Sequence, residues 1–465
     1  MHKFNNSIIT VGKLVQEPSL TIPAYQRPYK WTQENLNALL GDLRLYRDKS
    51  AYRLGTIVFH FNVEKLDIVD GQQRTLTLLL LVKAIMDERL EGLIREDIKT
   101  QLKGLESSVN GFLAKTQFSS EVSHHNLHQN FLAAKRATSR SDFTETDIDF
   151  LLNRCEVVTF VLTDVSEAFQ FFDSQNARGR DLDPHDLLKA YHLREFSDSE
   201  THLKAHTASH WEKLESDTLA KLFANYLYRI RNWTQGKTAP YFNKAQVGVF
   251  KGVNLERVGS YPYVEPLRIA HHFVDDYNGQ YQRQIDHQVM MFPFHLDQMV
   301  INGRRFFEMA AHYQQLITHI VDSERHDMKS RYLTVLDIKL DESATLIIKT
   351  LNDYSAMTRT GDKYVRTLFD CALIFYIDKF GTKGLSAAIE KLFIWAYTCR
   401  LRMQVVQMAT MDNYALNNNV FELIKQATQP NDLLKWPLST IKDSEVKGTK
   451  IDEIKELFRG LKYYE

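Results

Sequence analysis

Apolar residues recur at three- and four-residue spacing over residues 33–49, where Leu36, Leu39, Leu40 and Leu43 form one face of an amphipathic helix and Thr32 stands ready to cap it. Upstream, Leu20-Thr21-Ile22 precedes Pro23, and proline disfavours helix in the residue before it, which predicts an extended segment. Residues 54–61 and 66–69 are rich in β-branched and aromatic side chains, and the polar stretch 62–65 between them predicts a hairpin. The pattern then changes. From about 71 to 90 the chain is apolar on almost every side of its first helical half, the mark of a helix buried all round at the centre of a core.

Residues 101–150 alternate charged and apolar positions with many Ser, Thr and His, which predicts a helical insertion near 95–150 with a mobile connection at 138–146. A strand at 157–162, a helix at 165–175 and a loop at 176–183 follow; Pro184 after Asp183 then marks the start of a helix over 184–195. Beyond about residue 200 the periodicity is helical, clearest at 304–321, 364–380, 385–403 and 450–463. The shift from mixed strands and helices to helices alone predicts an α+β domain over 1–198 and a mostly α-helical domain over 199–465.

Composition narrows the class of partner. With 58 basic and 58 acidic side chains the formal charge is zero, so any site for a polyanion must be local. Three scattered cysteines, Cys155, Cys371 and Cys399, are too few for a disulfide framework or a thiolate metal cage and read as buried thiols. The first ten residues lack the features of a signal peptide, and the longest apolar run, 76–82, falls well short of the ~20 residues that span a bilayer. The expectation is a cytoplasmic protein with no membrane partner.

Chemistry concentrates at Asp70-Gly71-Gln72-Gln73-Arg74, between a strand and the central helix. The first turn of a helix has backbone N–H groups without internal acceptors and attracts anions. A structural reading is a capping box, with Asp70 as N-cap and Gln73 reciprocating. Arg74 argues for more, because a cation in the first turn opposes the helix dipole by about 0.3–1 kcal/mol unless an anion sits nearby. Gly71 permits close approach of a phosphate, Gln72 and Gln73 offer amide donors, and Arg74 can fork onto a phosphoryl group, an arrangement suited to a triphosphate. Asp70 itself is the competing anion. A second cluster, Ile22-Pro23-Ala24-Tyr25-Gln26-Arg27-Pro28-Tyr29-Lys30-Trp31, is basic and aromatic and reads either as a stacking and phosphate-contacting loop or as a surface anchor. A third, Gln175 to Leu182 with Arg178, Gly179 and Arg180, is weaker.

Taken in order, Ile22-Pro23, Tyr25-Gln26-Arg27, Tyr29, Trp31, Leu54-Gly55, the Asp70 to Arg74 motif, Asn176, Arg178-Gly179 and Asp186-Leu187-Leu188-Lys189-Ala190 resemble the N-terminal domain of the GmrSD restriction endonuclease family over roughly residues 10 to 195. The resemblance implies a ParB/sulfiredoxin-like α+β core that binds a nucleoside triphosphate with Mg2+ and, in some members, hydrolyses it to control DNA cleavage in defence against phage. It implies that Asp70 helps to hold the metal or positions the attacking water. Gly71, Gln72, Gln73, Arg74, Asn176 and Arg178 would contact the nucleotide, and Tyr25, Gln26 and Arg27 would close the pocket. On this reading Asp70 and Arg74 are the catalytic pair of a magnesium-dependent nucleoside triphosphatase.

The C-terminal half departs from relatives that end in a His-Asn-His nuclease: residues 413–419 are asparagine-rich without a neighbouring histidine. A separate nuclease partner is therefore expected, with DNA as a further partner and self-association left open. Residues 296–307 resemble a stretch that follows the first domain in longer relatives, and the double arginine Arg304-Arg305 in it faces either phosphate or solvent. His124, His125 and His128 include an i, i+4 pair that could hold zinc but lack an accompanying acidic or sulfur ligand. Two other functions stand beside nucleotide hydrolysis: a non-hydrolysing module that binds DNA or a nuclease, and an autonomous metal-dependent nuclease. The second of these lacks a further carboxylate cluster.

Overall fold

The computed structural model describes residues 7–23, 26, 28–62, 64–116, 118, 121–163, 183–196, 201–255, 261–321 and 330–465. The chain is α+β and falls into two compact units, residues 1–182 with 197–214, and residues 183–196 with 215–465. Among the described residues no helix is long and apolar enough to cross a membrane.

The first unit is built on a five-stranded mixed sheet. In chain order its elements are β1 (Ser7–Thr10), α1 (Val11–Gln16), β2 (Leu20–Thr21), α2 (Gln33–Tyr46), β3 (Tyr52–Asn62), β4 (Lys65–Asp70), α3 (Gln72–Arg89), α4 (Glu96–Lys115), α5 (Glu121–Thr138), α6 (Glu145–Asp149) and β5 (Cys155–Leu162). The strand order is β1-β5-β3-β4-β2. β3 and β4 form the antiparallel hairpin that the alternating pattern predicts, and β5 runs parallel to β3 in the centre. α2 starts where Thr32 predicts, with Thr32 and Asn35 forming a reciprocal capping box.

α3 is the pillar. Its apolar side chains are buried on every side, and they meet Ile57, Phe59 and Ile68 of the sheet and Leu102, Leu105 and Ala134 of the neighbouring helices in one continuous core. Each buried leucine there contributes on the order of 2 kcal/mol. The stretch read as an insertion is integral to this core: α4 supplies Ile98, Leu102, Leu105 and Val109, and α5 runs along α3. The connection expected to be mobile is a tight turn in which Phe143 is buried and Thr144 and Asp147 cap α6. α5 escaped a clean amphipathic reading because the face it turns inward carries Ser123 and Asn130 along with Ala134.

The alternative structural reading, a capping box with Asp70 as N-cap of the central helix, is not what forms. Asp70 is the last residue of β4, and Gly71 is the N-cap, in left-handed conformation at φ +89° with no side-chain cap bond. A Cβ at Gly71 would lie 2.9 Å from Ile57 Cγ1 and 3.1 Å from the Thr56 carbonyl, so glycine is required by both backbone and space.

The second unit is helical. The helices Arg304–Val321, Thr360–Phe380 and Leu385–Arg402 form its core, as their periodicity predicts, and Asp452–Gly460 closes the chain. Asp362, almost fully buried, accepts from Arg359 at 2.8 Å and Arg400 at 3.1 Å. All three cysteines are buried and unbridged. The helix expected at 165–175 and the loop at 176–183 fall outside the described residues but for Asp183.

Also in this unit, His271 is fully buried with neither ring nitrogen hydrogen-bonded to a described residue, stacked on Phe292 with ring centroids 5.6 Å apart. Burial, reinforced by the Arg305 guanidinium, pushes its pKa from 6.5 down to about 4. The unfolded chain therefore takes up this proton near pH 6.5 and the folded chain only near 4, so His271 lowers stability progressively as pH falls between those values. His271→Phe is expected to flatten the loss of Tm between pH 7 and pH 5, read by thermal denaturation. An unchanged pH dependence would contradict this.

Candidate functional site

The site is assembled where β3 and β4 meet the start of α3. The ladder between the strands slips by one residue, so that Phe59 pairs with Ile68 while Val58 pairs with Asp70 and Val69 is left as a bulge. Bulges bend a strand and re-aim the residues that leave it. Gln26 fastens this bulge, its side-chain nitrogen donating to the carbonyls of Ile68 at 2.9 Å and Val69 at 2.6 Å. Val58 and Val69 are both buried in a small second cluster with Phe160 and Leu162, on the sheet face away from α3.

Immediately after the bulge, the first helical turn is uncapped. The backbone N–H groups of Gln72, Gln73 and Arg74 have no acceptor among the described residues, and the first main-chain bond of the helix runs from Thr75 N to Gly71 O at 2.9 Å. Three free amides and the positive end of an 18-residue helix point the same way. The carboxylate of Asp70, released from capping, makes no hydrogen bond or ion pair with a described residue and feels Arg74 only through space.

Arg74 is half-buried. Its Nη1 donates to the Thr56 carbonyl at 3.0 Å, its one hydrogen bond among the described residues, and no carboxylate of a described residue lies within 4.0 Å of it. Burial pushes its pKa below the ordinary value, while the nearby charge of Asp70 works in the opposite direction. The guanidinium lies flat against Gly55, at φ +115°, where a Cβ would stand 3.0 Å from Cζ, Nη1 and Nη2. Gly55 and Gly71 therefore act as a pair: one gives room to the guanidinium, the other to the turn that exposes the amides.

The two glutamines of the motif divide. Gln73 turns its amide away from the helix start and clamps the aromatic loop: Oε1 accepts from Lys30 N at 2.8 Å and Trp31 N at 3.2 Å, and Nε2 donates to Pro28 O at 3.1 Å. Gln72 is 4% exposed, and its Oε1 has no hydrogen-bond partner among the described residues. An orphaned buried acceptor costs about 1–3 kcal/mol, so Gln72 Oε1 marks a place for a donor.

The loop held by Gln73 is anchored from the other side by α5, a contribution that the sequence did not announce. Tyr29, fully buried, receives a bond from Asn130 Nδ2 at 2.8 Å and exchanges one with Thr77 Oγ1 at 2.7 Å, while its own N–H donates to Ser123 Oγ at 2.9 Å. Burial raises the Tyr29 pKa. Asn126 and Asn130 also donate to the carbonyls of Tyr29 and Trp31. Spacing of Ser123, Asn126 and Asn130 at helical intervals was the available signal, masked by the polarity of the whole segment. The structure thus brings together Gln26, Asp70, Gly71, Gln72, Gln73 and Arg74; Tyr25, Arg27, Asn176 and Arg178 lie outside the described residues.

Elsewhere, one group could hold a cation among the described residues: Asp183, His185 and Asp186, with one ligand atom each within 4.8 Å of the others. It sits at the start of the helix Pro184–Arg194, where the dipole disfavours a cation. The histidines at 124, 125 and 128 form no such group, and His124 Nε2 bonds the Phe118 carbonyl at 2.6 Å. Arg304 and Arg305 face carboxylates: both bond Asp275, and Arg305 also bonds Glu308 at 2.7 Å.

Comparison with protein families finds two matches that together span most of the chain. Residues 11–193 match the GmrSD restriction endonuclease, N-terminal domain. Residues 203–453 match a Family of unknown function (DUF7834), not a His-Asn-His nuclease domain. No curated protein matches the chain. The first match contains the bulge, the uncapped turn and Arg74, and the second covers more than half of the 465 residues, so the chain belongs to the DUF7834 family and carries a GmrSD restriction endonuclease N-terminal domain.

Proposed function

We propose that this chain binds a nucleoside triphosphate with Mg2+ at the Asp70 to Arg74 turn and hydrolyses it, as a component of a restriction or anti-phage defence system that regulates DNA recognition or cleavage. The observation that carries the reading is the uncapped start of α3: among the described residues, three amides without acceptors stand beside a half-buried guanidinium that no carboxylate pairs. A half-buried cation at the positive end of a helix, with Asp70 near it but not bonded to it, is unfavourable in itself, and a phosphate removes the conflict. The restriction-endonuclease domain over residues 11–193 supports the defence setting.

Each residue has a defined task on this reading. The amides of Gln72 to Arg74 bind phosphate oxygens, and Gly71 lets those oxygens approach the backbone. Arg74 adds a charge-assisted donor that strengthens as negative charge develops during transfer. Magnesium typically takes one or two protein carboxylates with waters and phosphates as its other ligands, and Asp70, free of capping duty, fits that requirement. When bound, it would neutralise phosphate charge. Gln73 acts at one remove by fixing the Pro28 to Trp31 segment beside the site. Positioning and charge neutralisation are what phosphoryl transfer chiefly asks of a protein.

Arg74→Ala and Asp70→Ala are each expected to reduce phosphate release from the preferred ribonucleoside triphosphate by about 100-fold or more, with circular dichroism unchanged. Turnover at the wild-type rate in either variant contradicts the assignment. Nucleotide binding without phosphate release, at every combination of magnesium and DNA, would instead favour a non-hydrolysing binding module. Gly55→Ala places a methyl group against the guanidinium, and triphosphate affinity measured by calorimetry should fall roughly 10-fold, the effect of losing one well-placed bond. Unaltered affinity in a folded Gly55→Ala protein would remove Arg74 from the binding set.

A further inference from the structure

Apolar surface is unevenly spread over the chain. Of the twenty large hydrophobic side chains exposed among the described residues, nine fall between positions 261 and 299 of the second unit. Scattered single residues of this kind are ordinary on a protein surface, whereas a concentrated patch marks an interaction site. On the helix Glu265–Gly279, Ile269 and Phe273 are 65% and 58% exposed and stand one turn apart as a ridge. Tyr261 and Tyr263 stack on each other before the helix, with centroids 5.8 Å apart. After it, Tyr281 and Ile285 repeat the one-turn spacing on the short helix Tyr281–Ile285, which packs on the first. Two hydrogen bonds between Asn278 and the Met290 backbone, at 2.8 and 2.9 Å, hold the following exposed segment back against the helix end.

Beside the ridge runs a groove of about 360 Å3, walled chiefly by Tyr263, Pro266, Leu267, Ala270, Pro293 and Met299. Ala270 is flanked in sequence by Ile269 and lies one turn from both Pro266 and Phe273, so ridge and groove share one helix. This is the requirement of a two-fold interface, in which the same surface must offer both the projecting and the receiving part.

We propose that this surface is where two copies of the chain pair about a two-fold axis, with Ile269 and Phe273 of each copy seated in the groove of the other. The exposed apolar area between positions 261 and 299 is of the right order: nine side chains that are 40–78% exposed offer on the order of 1,000 Å2 in all, and a standard stable interface uses ~800 Å2 per partner. Electrostatics also favours a second copy over a charged partner such as nucleic acid. The neighbouring arginines are paired within the chain, Arg268 with Glu265 at 2.9 Å and Arg304 and Arg305 with Asp275 and Glu308, and the whole chain carries no net charge to repel its own copy. The inference is independent of nucleotide hydrolysis.

Sedimentation velocity of the full chain across the micromolar range tests it. The wild type should show a concentration-dependent monomer–dimer equilibrium. The double variant Ile269→Glu, Phe273→Asp should weaken that dimer by about 30-fold or more, with unchanged circular dichroism and Tm. A wild-type chain that stays monomeric, or a double variant that dimerises as the wild type does, overturns the proposal.

Discussion

Everything in the first unit is arranged around one left-handed residue. Gly71 joins β4 of the sheet to the helix at the centre of the core, and because its φ is +89° no other residue occupies the turn without strain. The turn decides what Asp70 and Gln73 do. With Gly71 as N-cap, Asp70 ends the strand with its carboxylate free, the first-turn amides stay without acceptors, and Gln73 is released to hold the aromatic loop. A capping box in its place would have consumed the same groups internally and left an inert helix start.

The constraint extends to the packing. α3 cannot move to relieve the conflict between Arg74 and the helix dipole, because Leu76, Leu78, Leu79 and Leu81 are locked in the core immediately behind it. Nor can the guanidinium turn away freely, since it lies on Gly55 and is tied to the Thr56 carbonyl. The core thus holds an electrostatically unfavourable arrangement in place, as functional sites commonly do at the expense of stability. The aromatic loop is fixed from two directions, by Gln73 and Thr77 of α3 and by Ser123, Asn126 and Asn130 of α5.

Periodicity made the long elements legible. The hairpin β3–β4, the buried α3 and the helices Arg304–Val321 and Leu385–Arg402 stand where apolar spacing places them, because in each a continuous apolar face or stripe is buried. Short edge elements were not legible: β1 spans four residues with one buried side chain and α1 spans six, and neither offers enough positions for a period to show. The role of α5 was hidden because its inward face is partly polar, serving the Tyr29 loop. At the site itself, residue types and order pointed to the Asp70 to Arg74 turn, but the division of labour within it depends on a one-residue bulge and a positive φ, which leave no periodic trace. The loss of Asp70 as a cap follows from that geometry.

The central claim is that the start of α3 is a phosphate seat. Its most direct test is a crystal structure of the full chain with Mg2+ and a non-hydrolysable triphosphate. The account predicts phosphate oxygens within hydrogen-bonding distance, about 2.7–3.2 Å, of the backbone N–H groups of Gln72 to Arg74 and of the Arg74 guanidinium, with Asp70 facing the metal. A nucleotide bound elsewhere, with those amides and Arg74 contacting nothing but protein and water, would contradict it.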